Sequence, residues 1–151
     1  MKRYGFIKTK GLFLTLILLF FAWIPAGICS QPDSAQAGIS PEYIVYYFFT
    51  NKRCSTCLRI EEWSSIAVKA DLKEQVDSGR LQWQALNIEQ PENAHFIKDF
   101  ELYTKSVIVA EYKDGKPVRW VNLPDIWRLS SDQDKFIDYV AGEVRKFMEK
   151  N

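Results

Sequence analysis

The hydrophobic pattern beyond residue 41 predicts alternating strands and helices. The run EYIVYYFF at 42–49 is β-branched and aromatic, which favours a central strand buried on both faces. Residues 55–78 carry apolar side chains at helical spacing, and Gly79 is suited to stop that helix. The segment LQWQALNI at 81–88 predicts a second strand. Because a helix joins these two strands, they should be parallel, with a right-handed crossover.

A short helix and a hairpin are predicted next. Pro91 stands where the first turn of a helix tolerates proline, and it opens a predicted helix over 92–102. The segment SVIVAEY at 106–112 predicts a third strand. An Asp-Gly turn at 113–116 then returns the chain as an edge strand, PVRWVN, at 117–122.

The chain closes with a predicted amphipathic helix over 132–149, where Ser130 and Gln133 have the spacing of a capping box. The element order is therefore β-α-β-α-β-β-α, with no internal repeat. We expect an α/β fold: one domain over 38–151 with a mixed four-stranded sheet and helices on both faces.

The N-terminal segment 1–37 has a different pattern. Basic residues precede an uncharged run whose most apolar stretch is LFLTLILLFFAWI at 12–24, which is typical of a signal peptide. The run is also long enough for a membrane anchor, which needs roughly 20 residues. A small-residue cleavage pattern lies at 35–37, and lipid modification of Cys29 is a third alternative. In each case the basic flank stays inside, so we expect export, to the periplasm or to a membrane-anchored position facing outside.

The composition excludes several classes of function. With 151 residues, 47% hydrophobic, 26% charged and a net charge of +1, the chain is globular and has no basic excess for nucleic-acid binding. The seven glycines are scattered, which excludes a P-loop and a dinucleotide-binding fingerprint. His95 is the one histidine, so catalytic triads and zinc sites with several histidines fit poorly.

The candidate chemistry lies in Cys54-Ser55-Thr56-Cys57, directly after the first predicted strand. A Cys-x-x-Cys motif in a β-α-β context is a redox signature, and this spacing lets the two sulfurs form a disulfide. The helix N-terminus and the neighbouring Lys52 and Arg53 favour the thiolate form of Cys54. We expect Cys54 to attack a partner disulfide and the more buried Cys57 to resolve the mixed disulfide.

Glu61 lies four residues after Cys57 on the same helical face, and we predict that it accepts the proton of the resolving thiol. Alternatively, it is a solvated carboxylate paired with Arg59 or Lys69.

Other uses of the two thiols remain open. A structural disulfide would close a very short loop and restrict the unfolded chain little. Zinc needs four ligands, but two thiolates could hold a soft metal ion or a metalloid, which would make the chain a binding module. We expect no cofactor, and a monomer that exchanges electrons with protein disulfides and dithiols.

From residue 42 to 150 the chain resembles the thioredoxin superfamily in its element order and in the position of its cysteine motif. It is also similar to a small bacterial family, nitrophenyl compound nitroreductase subunit, ArsF type. The similar stretches are YYFFTNKRCSTCLRIEEW, NIEQPENAHFIKDF and TKSVIVAEYKDGKPVRWVNL. The resemblance implies a thioredoxin-like fold, thiol chemistry and the role of an electron-passing subunit.

The chain departs from thioredoxin at several positions. Arg53 stands where thioredoxin has Trp, and Thr56 where it has Pro. No carboxylate occurs near Phe48, where thioredoxin has a buried Asp, and residues 104–106 lack its cis-proline. These departures favour a specific partner over general thioredoxin activity.

Overall fold

The computed structural model describes residues 40–150. The predicted signal or anchor segment at 1–37 lies outside the described residues. Within 40–150, no helix is long and apolar enough to cross a membrane.

The described chain is an α/β unit built on a mixed four-stranded sheet with strand order β2-β1-β3-β4. The strands are β1 (Tyr43–Phe49), β2 (Leu81–Asn87), β3 (Ser106–Lys113) and β4 (Lys116–Asn122). The helices are α1 (Ser55–Lys69), α2 (Lys73–Asp77), α3 (Phe96–Asp99) and α4 (Gln133–Glu149), with 3₁₀ turns at Pro91–Asn93 and Pro124–Ile126. The predicted mixed four-stranded sheet is confirmed, with helical segments between β1 and β2, between β2 and β3, and after β4.

Strand pairing matches the predicted pattern. β1 pairs with β2 in parallel and with β3 antiparallel, and β3 pairs antiparallel with β4. The β3–β4 turn has positive φ at Asp114 (53°) and Gly115 (74°), the backbone that the Asp-Gly sequence favours. In the β1–β3 register Phe48 lies opposite Ser106, so the start of β3 is beside the end of β1.

β1 is buried on both faces, as its unbroken apolar sequence predicts. Tyr43, Val45 and Tyr47 belong to a core shared with α1 and α4. The alternate side chains face a second core, which the segment around α3 covers with Phe96, Phe100 and Leu102. This two-sided packing holds the end of β1, and the motif that follows it, in one place.

The single helix predicted over 55–78 is wrong, because the chain forms two helices there. Leu72 leaves helical geometry (φ −117°, ψ 29°), and its side chain is only 1% exposed. Arg145 on α4 donates to the backbone carbonyl of Asp71 at 2.9 Å, which satisfies a polar group at the break. Leu72 fits the helical period of the sequence, so the period alone does not reveal the interruption.

The predicted helix over 92–102 is also broken into a 3₁₀ turn and the four-residue α3. It ends because Glu101 takes a left-handed conformation (φ 50°), which lets Phe100 and Leu102 both reach the core.

The predicted capping box at the last helix is wrong as well. Asp132 is the N-cap of α4, and its carboxylate accepts from the backbone N–H of Lys135 at 3.2 Å. The Ser130 hydroxyl instead donates to the carbonyl of Trp127 at 2.8 Å. Serine and aspartate are comparable N-caps, so the path of the chain before α4 decides between them.

Candidate functional site

The end of β1 and the start of α1 position the two cysteines. Cys54 is the N-cap of α1 with extended backbone (φ −99°, ψ 168°), and its sulfur accepts from the backbone N–H of Cys57 at 3.3 Å. Cys54 is exposed and Cys57 is buried, and both are free thiols. The helix start therefore presents one sulfur to solvent and places the second one turn deeper, as the motif predicts.

Lys105 contacts the buried sulfur, and it was not among the predicted site residues. Its Nζ donates to Cys57 Sγ at 3.4 Å. Burial acts to raise the pKa of the Cys57 thiol, but the hydrogen bonds with Cys54 and Lys105 outweigh it and hold that pKa below its ordinary value. The site can therefore hold a negative charge on the Cys57 sulfur.

Tyr47 on β1 contacts the backbone of the cysteine motif. Its hydroxyl, on the β1 face packed against α1, donates to the backbone carbonyl of Cys57 at 3.0 Å. Burial raises the pKa of Tyr47, and the nearby Cys57 adds to that effect, so the phenol stays a protonated donor. This bond fixes the first turn of α1 against the sheet.

Arg53 and Glu61 form an ion pair with each other, and both side chains are about one-quarter exposed, at 25% and 28%. The Arg53 guanidinium also lies over the Phe49 ring, 4.2 Å from its centroid. Each side chain therefore largely compensates the charge of the other beside the motif.

The alternative pairing of Glu61 with Arg59 or Lys69 is wrong. Arg59 donates to the Thr56 hydroxyl at 3.3 Å, and Lys69 lies over the Trp83 ring at 5.0 Å. The proton-acceptor role of Glu61 stays a prediction, as do the tuning roles of Arg53 and of the exposed Lys52.

An open groove of about 340 Å³ borders the site. Lys105 lines it together with Ile97, Tyr103 and Trp127, and the Tyr103 side chain is 95% exposed. The Trp127 indole N–H donates to the Lys105 carbonyl at 3.3 Å, which anchors the backbone of that lysine. Lys105 therefore lies between the buried Cys57 sulfur and a partly apolar groove.

The residues that sequence reasoning missed come from other strands and loops. Alternation along β1 could have placed Tyr47 under α1, and the β1–β3 pairing could have placed residue 105 near the motif. Neither signal specifies a hydrogen bond.

Within 40–150, no group of three or more His, Cys, Asp or Glu side chains is arranged to hold a metal ion. In the comparisons, no protein-family model matches the chain, and no curated protein matches it significantly in sequence. Function must therefore be inferred from the chemistry of the site.

Proposed function

We propose that the chain is a thiol-disulfide oxidoreductase in which Cys54 is the nucleophile and Cys57 the resolving thiol. The observation that carries the proposal is an exposed thiol at a helix N-cap, one turn before a buried thiol whose sulfur accepts a hydrogen bond from a lysine. Exposed thiols at helix N-termini are favoured as thiolates, the form that attacks disulfides.

The reaction is two thiol-disulfide exchanges. The Cys54 thiolate attacks one sulfur of a partner disulfide, so a Cys54–partner disulfide forms and a partner thiolate leaves. The Cys57 thiolate then attacks the Cys54 sulfur, which forms the Cys54–Cys57 disulfide and releases the second partner thiolate. Two electrons pass to the partner, and the released thiolates take protons from water. The same steps in reverse oxidise a partner dithiol.

A thioredoxin-like fold is part of the proposal. It is supported by the element order, by the parallel β1–β2 pair followed by an antiparallel hairpin, and by the cysteine motif at the end of β1. We also propose export, from the basic and apolar pattern of residues 1–37. The similarity to the ArsF-type nitroreductase subunits then suggests a protein that passes electrons between partner proteins.

The test is reversible oxidation and trapping with the purified full chain. With oxidised glutathione the wild type should form an intramolecular disulfide, seen as loss of two alkylatable thiols, and dithiothreitol should restore them. Cys57→Ser should accumulate a mixed disulfide with a disulfide-bonded peptide, whereas Cys54→Ser should not. The Ser55→Ala variant, changed between the two cysteines, should behave as the wild type.

Two results would contradict the proposal. The first is a Cys57→Ser protein that accumulates no mixed disulfide, and the second is a wild type that forms no reversible disulfide. Stoichiometric Cu(I) retained through dialysis by a chain that forms no reversible disulfide would favour the metal-binding alternative.

A further inference from the structure

The pairing of β3 with β1 and a hydrogen bond from Trp127 fix the position of the Lys105 backbone. Lys105 directly precedes β3, whose pairing with β1 sets Ser106 opposite Phe48. Its carbonyl accepts from the Trp127 indole at 3.3 Å, and its side chain is half-buried. The Lys105 ammonium lies 3.4 Å from Cys57 Sγ, and the backbone that carries this side chain is fixed.

We propose that Lys105 stabilises the negative charge of the reduced cysteine pair and thereby makes the pair an oxidant of partner dithiols. This inference rests on the proposed function and adds the direction of electron flow. Lys105 is a catalytic residue in this scheme because it touches a reacting sulfur.

The thermodynamic reason is that the charge exists in one redox state only. The reduced pair can carry a thiolate that the lysine attracts, whereas the Cys54–Cys57 disulfide is neutral. A charge-assisted hydrogen bond to the thiolate therefore stabilises the reduced pair and not the oxidised one. Stabilising the reduced form raises the reduction potential, which is the property of strongly oxidising dithiol proteins.

The same contact assists the chemical step. A partner thiolate attacks the Cys54 sulfur of the disulfide, a Cys54–partner disulfide forms, and Cys57 leaves as a thiolate next to Lys105. The second partner thiol then attacks the partner's own sulfur, which releases Cys54 and completes the partner disulfide. Two electrons move from the partner dithiol to the pair. The disulfide bond is cleaved faster when the departing thiolate is stabilised.

Lys52, the other lysine beside the motif, is exposed to solvent. Arg53 is paired with Glu61, and Tyr47 holds its proton while bonding the Cys57 carbonyl. The Lys105 ammonium is therefore the cation whose charge reaches the Cys57 sulfur directly.

The test is the redox equilibrium of the full chain with glutathione, measured at fixed pH by thiol alkylation. Lys105→Met removes the charge and keeps much of the chain length, and Lys105→Gln is a second neutral variant. We expect each to favour the oxidised pair about tenfold more than the wild type, about 30 mV for a two-electron couple. Lys105→Arg keeps the charge, so its redox equilibrium constant with glutathione should stay within about twofold of the wild-type value.

The matched control is Lys116→Met, an exposed lysine at the start of β4, beside the end of β3 that lies farthest from Lys105; it should not change the equilibrium. An unchanged equilibrium in both neutral variants at position 105, with a reversible disulfide still forming, overturns this inference and leaves the proposed function standing. An equal shift in Lys116→Met also overturns it. A wild type that forms no reversible disulfide overturns both.

Discussion

Glu111 is a buried carboxylate that links three elements of the fold. It is 3% exposed on β3, and it accepts from Arg119 Nε at 2.9 Å and pairs with Lys113 at 3.1 Å. Arg119, on β4, also donates to the carbonyl of Phe147 in α4 at 3.0 Å. Loss of the carboxylate charge should therefore weaken the attachment of the hairpin to the last helix.

The perturbation is Glu111→Gln, which keeps the shape and removes the charge. Removing one partner of a fully buried ion pair costs about 3–5 kcal/mol. Here the cationic side chains retain access to water, at 31% for Arg119 and 65% for Lys113. We therefore expect the free energy of unfolding at pH 7 to fall by about 1–3 kcal/mol.

The pH dependence provides a sharper test. Burial acts to raise the pKa of Glu111, but Lys113 and Arg119 outweigh it and hold that pKa below its ordinary value of 4.5. A carboxyl whose folded-state pKa is depressed contributes its full stability above the unfolded pKa and loses it as the pH falls through the folded value. The difference between wild type and variant should thus be constant from neutral pH to about pH 5 and shrink at lower pH.

The assay is urea unfolding followed by tryptophan fluorescence, at pH 7 and in steps below pH 5. Glu92→Gln is the matched control, because Glu92 is exposed in the 3₁₀ turn before α3, and it should leave stability within about 0.5 kcal/mol of the wild type. A Glu111→Gln protein as stable as this control at pH 7, or one whose deficit persists unchanged into acid, would refute the reasoning.

Three further predictions concern packing, capping and the support of the motif. Phe136 is fully buried on α4 and meets Trp63 of α1 edge-on at 5.6 Å, so Phe136→Ala should lower the free energy of unfolding in urea by about 3–5 kcal/mol; a loss under about 1 kcal/mol would contradict this packing. Asp132→Ala should lower the urea concentration at the unfolding midpoint in the same assay, and an unchanged midpoint would mean that Asp132 does not cap α4. Tyr47→Phe removes the donor to the Cys57 carbonyl and should cost about 1 kcal/mol while the reversible disulfide still forms; full wild-type stability would contradict the bond.

The amino-acid sequence determined the frame of the protein because that information is local or periodic. An unbroken apolar run marks β1 as a strand buried on both faces, and it is one. The helix that follows it starts at the cysteine motif, so the exposure of Cys54 and the burial of Cys57 follow from the turn geometry. The Asp-Gly pair likewise specified the backbone of the β3–β4 turn.

Only the tertiary structure decided which charges meet. Lys105 reaches the Cys57 sulfur across 48 positions of sequence because β1 and β3 pair in one register. Arg53 pairs with Glu61 although other partners lie as close in sequence. Such contacts depend on where separate elements come together in space. The alternative charge pairings available along the sequence differ in energy by less than the packing of the core contributes, so the core decides which pair forms.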